Sequence, residues 1–277
     1  QDIVKKYGVQ VFSSNYVLYG DMSCRVMNCL SQYSPDVEIY SIDEAFLNLK
    51  GFESRDLVKY GTDLRNTVKQ WTGIPVSIGI AKTKTLAKLA NHIAKKDPKF
   101  KGVLNIYYED DVNDFLRRTE VSDIWGVGRQ YTKLLNNHNV KTAYDFIQLD
   151  DNWIKKKMTV MGLRTAMELR GIPCITLETS PSPKKAIVSS RSFSKLTSNK
   201  QDIRESVAFF TSIAAQKLRK QRSAASLLTV FLRTNPFRDI PQYHNGVLVQ
   251  LPLPTDSTSE MISYAMKGVE QIFREGF

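Results

Sequence analysis

The first third of the chain alternates between helix-like and strand-like patterns of apolar residues. Apolar residues at helical spacing predict a helix from Asn15 to Tyr33, and two short apolar runs, Val37–Ile42 and Ala45–Leu49, predict strands close enough to pair as a hairpin. The next elements are a helix at 57–71, a strand at 75–81, a helix at 83–96 and a strand at 103–107. The order α-β-β-α-β predicts a ferredoxin-like split βαβ unit without its opening strand, because Val9–Phe12 is too short to serve as one.

The remaining two thirds show two further patterns. Residues 110–173 predict only short helices joined by glycine-containing turns, and the alternating Ser and Pro of TSPSPKK at 179–185 predict a linker. Alternation between strand and helix then resumes, in five elements: strand Ala186–Phe193, helix Gln201–Arg222, strands Leu227–Arg233 and Gly246–Leu251, and helix Ser257–Arg274. This is a second split βαβ unit, lacking its closing strand.

These patterns predict an α+β, multi-domain protein. The expected domains are 1–105, a sheet with helices; 106–175, all-helical; a linker at 176–185; and 186–277, a domain of split βαβ type. Because the first and last domains each lack a strand, we expect the chain to be incomplete at both ends and to expose unpaired sheet edges.

Composition and charge narrow the class of protein. The chain has 39 Lys and Arg against 28 Asp and Glu, and the net charges of 1–105, 106–180 and 181–277 are +5, −1 and +7. Basic segments around a neutral middle predict a polyanionic partner held at two places, although ordinary solubility charge is the alternative. No apolar run is long enough to span a membrane, and three cysteines at unrelated spacings favour core thiols of a cytoplasmic protein over a metal site.

Two adjacent carboxylates interrupt the predicted hairpin. Asp43 and Glu44 stand in the apolar stretch YSIDEAF, where a buried charge is costly unless a cation or hydrogen bonds satisfy it. Neighbouring side chains on a strand face opposite ways, but at a hairpin turn the two carboxylates can converge on one ion. Carboxylate oxygens suit Mg²⁺, and solvated loop acids are the alternative.

A lysine-rich helix follows the strand GIPVSIGIA. At 100° per residue, Lys84, Lys88 and Lys95 fall within about 40° of one another, opposite an apolar face. Such a stripe predicts a surface for a triphosphate or a nucleic-acid backbone, with a solvated helix face as the alternative.

Two other basic or glycine-containing stretches also suggest phosphate binding. In IWGVGRQ, Gly126 and Gly128 bracket Val127 between helices, a helix-hairpin-helix pattern in which backbone N–H groups can approach phosphate oxygens; a plain interhelical turn is the alternative. Arg129 and Lys133, just after it, favour phosphate. A later basic cluster at a helix end either contacts phosphates or stabilises the helix dipole, and its members are Lys217, Arg219, Lys220 and Arg222.

The motifs SIDEAF, GIPVSIGIAKTKTLAKLANHIAKK and IWGVG, in this order, resemble those of the Y-family translesion DNA polymerases. The stretches SSNYVLYGDMSCRV and RTNPF resemble the bacterial UmuC type of that family. The resemblance covers essentially the whole chain and implies a palm at 1–105, a thumb at 106–175 and a little finger at 186–277. It also implies error-prone lesion-bypass synthesis in the SOS response, by two-metal nucleotidyl transfer.

The resemblance also implies roles for particular residues and partners. Asp43 and Glu44 match the family's paired metal-binding catalytic acids for two Mg²⁺ ions, Lys95 matches a lysine that contacts the incoming deoxynucleoside triphosphate, and Gly126 to Gly128 match the thumb hairpin on primer–template DNA. The implied protein partners are a processed UmuD dimer, the recombinase filament and possible contact with the sliding clamp.

The chain departs from the family pattern in ways that bear on activity. The family's first metal-binding Asp, its finger segment, its final strand and its clamp-binding tail have no counterpart in residues 1–277. We therefore expect this chain alone to bind primer–template DNA without extending it. A non-catalytic DNA-binding chain is the main alternative, and a nucleotide cyclase is disfavoured because the hairpin thumb and basic last domain would serve no purpose there.

Overall fold

The computed structural model of the chain describes residues 2–107, 109–180, 183–193 and 195–276. Internal contacts divide the chain into two units, Gln1–Pro181 and Ser182–Phe277. This division falls inside the predicted linker, of which residues 181 and 182 lie outside the described residues. Within the described ranges, no helix combines the length and apolarity needed to cross a bilayer.

The helices in the first part of unit one begin where polar caps precede apolar periodicity. The side chains of Asn15, Asp56 and Thr83 each accept a hydrogen bond from a backbone N–H in the following first turn. Gly73 ends the third helix at φ +75°, a left-handed conformation that glycine adopts without steric cost. The helices are α1 (Asp2–Tyr7), α2 (Tyr16–Leu30), α3 (Leu57–Thr72) and α4 (Lys84–Lys96).

Four short strands accompany these helices in the predicted order. They are β1 (Val37–Ile39), β2 (Ala45–Leu47), β3 (Ile78–Ile80) and β4 (Val103–Asn105). The first two form the predicted antiparallel hairpin, and the last two pair in parallel, so the described residues contain two separate two-stranded sheets here. α4 lies directly on β3 at Gly79, where a Cβ would come within 2.1 Å of the Ala87 carbonyl oxygen. The close approach fixes α4 against the strand that leads into it.

The rest of unit one is helical, as predicted. Its helices are α5 (Glu109–Arg118), α6 (Arg129–Asn137), α7 (Ala143–Ile147) and α8 (Asp151–Leu169). A single core joins them to α4, since Leu86 and Leu89 belong to the same buried cluster as Phe146, Ile154 and Leu169. This core crosses the predicted boundary at 105/106, and the division of unit one into two domains remains a prediction.

In the described part of unit two, a two-stranded antiparallel sheet packs on a pair of helices. Its elements are α9 (Lys200–Gln221), β5 (Ala225–Arg233), β6 (His244–Thr255) and α10 (Thr258–Ile272). The predicted strand Ala186–Phe193 is wrong, because residues 186–193 adopt no regular structure. Ile187 packs instead against buried residues of α9 and α10, so the apolar pattern of this segment reports contact with helices rather than strand pairing.

Candidate functional site

Asp43 and Glu44 lie in the turn that joins β1 to β2. The backbone N–H groups of Tyr40 and Ser41 both donate to the Glu44 carbonyl oxygen at 3.0 Å and close the turn. The Ser41 hydroxyl donates to Asp43 Oδ1 at 2.6 Å and accepts from the Asp43 N–H at 3.3 Å. Asp43 is exposed and Glu44 is half-buried. The hairpin-end location of both acids is confirmed, while their role as metal ligands stays a prediction.

Lys88 on α4 neutralises the second acid. Its ammonium pairs with Glu44 Oε1 and lies 5.9 Å from the centre of the Tyr40 ring. The Lys88 side chain is 20% exposed, against 42% for Glu44. Because a partly buried pair is screened less than a surface pair, Lys88 compensates much of the charge of Glu44 within the chain itself.

Lys84, one turn earlier, does not form part of an exposed stripe. Its ammonium is buried in an ion pair with Glu38 of β1, donates to the Thr176 carbonyl oxygen at 2.9 Å, and lies 4.9 Å from the centre of the Phe46 ring. At this position the burial agrees neither with the predicted phosphate-binding surface nor with its alternative, a solvated helix face, because the ammonium is turned to Glu38 and the Thr176 carbonyl. Helical spacing gave the correct common direction for Lys84 and Lys88, but that direction faces the hairpin. Lys95, in the last turn, is exposed.

Three aromatic rings join the hairpin to the segment before α6. The Trp125 ring lies 5.4 Å from Tyr40, at an interplanar angle of 80°, and 5.8 Å from Phe46. Tyr40 and Phe46 are themselves 5.8 Å apart and flank the turn that carries the two acids. The residues that flank the acidic turn (residues 41–44) therefore pack directly against the segment that contains Gly126.

The segment 124–129 has the geometry of an open turn before a helix. Gly126 has φ +91°, in the left-handed region, and Val127 is buried with its N–H donating to the Ile124 carbonyl oxygen at 3.0 Å. Gly128 caps α6 without a side chain, and a Cβ built there would meet nothing within 4 Å. The first-turn N–H groups of a helix have no partner within that helix, so beside open space they suit an anion. A groove next to them is lined by Ser122, Val127, Arg129, Thr132, Lys133, Asn136 and Asn137.

Family models match the chain in three places. The model of the impB/mucB/samB family matches residues 2–92, that of the C-terminal domain of the same family matches residues 184–277, and the IMS family HHH motif matches residues 109–140. The chain belongs to the impB/mucB/samB family. The matched HHH motif contains the whole turn from Gly126 to Gly128.

Curated proteins of this family match along almost the whole chain. Protein UmuC of Salmonella typhimurium is 42% identical over 275 residues, which cover 98% of this chain and 65% of that protein. Protein MucB of Escherichia coli is 37% identical over 276 residues, covering 99% and 65%. DNA polymerase IV of Clostridium acetobutylicum is 26% identical over 271 residues, covering 96% and 64%. The chain thus spans about two thirds of the length of these relatives.

Solved structures share the fold at low sequence identity. A Y-family DNA polymerase chimera matches with a TM-score of 0.64 at 19% identity, covering 93% of this chain and 71% of that one. DinB from Sulfolobus solfataricus matches with a TM-score of 0.53 at 19% identity, covering 98% and 76%. These similarities confirm the predicted α+β fold.

The acidic turn of this family member fits a divalent cation only in part. Its two carboxylates supply hard oxygen ligands of the kind that Mg²⁺ takes. Across the described ranges, however, no three Asp, Glu, His or Cys side chains come together as a possible metal group. The donors present fit one cation completed by non-protein oxygens, and Lys88 already occupies one of them.

The basic cluster of unit two is divided between structural and exposed side chains. The Arg219 guanidinium donates to the Asp256 carbonyl oxygen at 2.8 Å and to Thr258 Oγ1 at 3.0 Å, where it fixes the start of α10. Lys217 donates to the Val188 carbonyl oxygen at 3.4 Å. Lys220 and Arg222 are exposed at the end of α9. These contacts give Arg219 a structural role at the start of α10, which is not the stabilisation of the α9 dipole that the sequence offered as the alternative, and phosphate contact by the others remains a prediction.

Sequence analysis missed Glu168, which is fully buried in α8. Its Oε2 accepts from the Thr85 N–H at 3.0 Å and the Thr85 hydroxyl at 3.2 Å, and its Oε1 accepts from the N–H groups of Cys174 and Ile175 at 2.8 and 3.0 Å. One carboxylate thereby caps α4 and holds the segment after α8. No local pattern announces such a residue, because its partners lie up to 83 positions away in sequence.

Proposed function

We propose that the chain is the catalytic part of a lesion-bypass DNA polymerase, which adds deoxynucleotides to a primer 3′ end. One observation carries the proposal: a turn with two carboxylates lies against the helix α4, within the segment that the family model matches. DNA polymerase IV among the relatives supports the reaction class. The proposal of error-prone synthesis in the SOS response rests on the UmuC-type motifs and on the 42% sequence identity to Protein UmuC.

Each part of the site has a role in this proposal. Asp43 and Glu44 hold Mg²⁺, which when bound stabilises the charge that develops on the attacking and leaving oxygens. The complete protein would hold two ions. Lys95, exposed in the last turn of α4, contacts the triphosphate of the incoming nucleotide. Lys88 holds Glu44 in place, and Lys84 is left out of the phosphate-binding set because it is buried with Glu38.

Primer–template DNA would bind through its phosphates. The open turn at Gly126 to Gly128, with Arg129 and Lys133 in the adjoining groove, offers backbone N–H groups and positive charge to one strand. In unit two, the exposed Lys220 and Arg222, with Lys217, would add salt-dependent contacts. Neither set reads base sequence.

The proposed partners come from the family resemblance. The complete protein would bind a processed UmuD dimer, the recombinase filament and the sliding clamp. The compartment would be the cytoplasm, because three unpaired cysteines suit a reducing environment. 

A primer-extension assay with the full-length protein tests the proposal. Asp43→Asn should abolish Mg²⁺-dependent extension, a loss of several kcal/mol of transition-state stabilisation, while primer–template affinity stays nearly unchanged. Asp63→Asn is the matched control, since Asp63 is an exposed carboxylate on α3. Extension by Asp43→Asn at the wild-type rate would refute the assignment.

A second candidate function is DNA binding without catalysis. The compensation of the Glu44 charge by Lys88 favours it. The same assay separates the two, because full-length wild-type protein that binds primer–template DNA and never extends it would support the second candidate.

A further inference from the structure

Trp125 connects the two parts of the site that the proposed function assigns to different tasks. It directly precedes Gly126 in the phosphate-binding turn, and its ring touches both Tyr40 and Phe46, which flank the acidic turn. Among the described contacts, this cluster is where aromatic side chains of the hairpin and of the segment before α6 meet.

The indole is held firmly on its own side of this contact. Ile124 and Val127, on either side of Trp125, are 5% and 6% exposed and belong to the main core. The hydrogen bond from the Val127 N–H to the Ile124 carbonyl oxygen closes a tight turn around Trp125 and Gly126. Trp125 is therefore placed by the core from which the phosphate-binding turn also extends.

The hairpin side of the contact is coupled to the acids through the backbone. The N–H of Tyr40 donates to the carbonyl oxygen of Glu44, so a shift of Tyr40 moves the residue that carries the second carboxylate. Lys88 lies over the Tyr40 ring and pairs with Glu44, which adds a second link. By contrast, β1 and β2 are three residues each and constrain the turn weakly by themselves.

We propose that Trp125 is a positioning residue, whose indole fixes the acidic turn at a set distance from the phosphate-binding turn. The inference rests on the proposed polymerase function. In this arrangement the Trp125 ring holds the phosphate-binding turn and the acidic turn at a fixed separation. The primer 3′ end, bound through its backbone at the first turn, is therefore placed correctly beside the metal-binding carboxylates of the second. Trp125 itself touches neither nucleotide nor metal in this role.

The test measures rate and affinity separately in the full-length protein. Trp125→Leu removes the ring while keeping an apolar side chain, and Trp125→Phe retains a smaller ring. Trp153→Leu is the matched control, because Trp153 lies on α8 and packs on His138, and none of the described ring contacts joins it to the hairpin. Single-turnover extension, primer–template affinity by fluorescence anisotropy, and thermal unfolding are recorded for each variant.

Trp125→Leu should lower the single-turnover rate roughly ten- to a hundredfold, the loss expected for a misplacement of about 1 Å, with DNA affinity within about twofold of wild type. Trp125→Phe should recover most of the rate. Tyr40→Ala should lower the rate similarly, and the double variant Tyr40→Ala/Trp125→Leu should be little slower than either single one, since both break the same link.

Two results would overturn the inference. Equal rates for Trp125→Leu and Trp153→Leu would show that the Trp125 ring does not position the acidic turn. A loss of DNA affinity in Trp125→Leu and Tyr40→Ala, without a loss of rate on bound DNA, would make Trp125 part of the DNA contact. A wild-type protein that binds DNA but never extends it would instead overturn the proposed function, and the inference with it.

Discussion

Replacing the buried carboxylate of Glu168 should destabilise unit one strongly. Glu168→Gln keeps the size of the side chain but leaves one amide nitrogen, a donor, facing a pair of donors, either those of Thr85 or those of Cys174 and Ile175. Hydrogen bonds to a charged group contribute about 1.5–3 kcal/mol each, and an unsatisfied buried donor costs about 1–3 kcal/mol.

The magnitude follows from which donors water can reach. Thr85 is 1% exposed, so its donors have no substitute partner, whereas Cys174 and Ile175 are only half-buried and can bind water. The Gln side chain should therefore turn its oxygen to Thr85, and the net loss should be about 3 kcal/mol of unfolding free energy. For a unit of this size, that loss corresponds to a fall in Tm of roughly 6–12 °C.

Thermal unfolding and amide hydrogen exchange check this result. Glu120→Gln is the control, because it makes the same change of charge at an exposed position. In Glu168→Gln, the amides of Cys174 and Ile175 should lose protection before the rest of unit one. A Tm within about 1 °C of the Glu120→Gln value would refute the reasoning, because an undisturbed Tm would mean that the four hydrogen bonds contribute almost nothing net.

Two further predictions concern other charged pairs. Lys84→Met should cost about 3–5 kcal/mol in urea unfolding by leaving Glu38 buried without its cation, and adding Glu38→Leu should recover most of that loss; no recovery would mean that Lys84 acts through its other contacts. In unit two, the hydrogen bond and the charge of Lys200, and then those of Arg204, lower the pKa of the Glu270 carboxyl below its ordinary value. A lowered folded-state pKa gives stability that is complete above about pH 4.5 and is lost as the pH falls through the folded-state value, so Glu270→Gln should flatten the dependence of Tm on pH below that point. An unchanged slope would contradict this assignment.

The helices were predictable from sequence because their signals are local. Asn15, Asp56 and Thr83 mark helix starts through hydrogen bonds that span three residues, and Gly73 marks an end through its own φ. The acidic turn was predictable for a similar reason. Two short apolar strands that are separated only by the two acids have a connection too short for any arrangement but a hairpin.

What escaped prediction depends on contacts distant in sequence. Residues 186–193 begin with a short apolar run that is typical of a strand, but a strand exists only where another backbone pairs with it, and here Ile187 contacts helices instead. The lysine stripe has correct helical spacing, yet only the position of the hairpin determines that Lys84 is buried while Lys95 is exposed. Trp125 stands within a motif that the sequence displays, and its role depends on rings 79 and 85 positions earlier.

The hydrogen bonds between Thr85 and Glu168 have a consequence for the order of folding during translation. α4 obtains neither its N-terminal carboxylate nor the core partners on α8 until the ribosome has added the residues up to Leu169, 73 positions after Lys96. At ordinary elongation rates this takes on the order of 4–15 s. During that interval α4 can pack on β3 and β4, but the part of its apolar face that α8 later covers stays exposed. A nascent chain paused before residue 168 should therefore present this part of the core to chaperones and to aggregation.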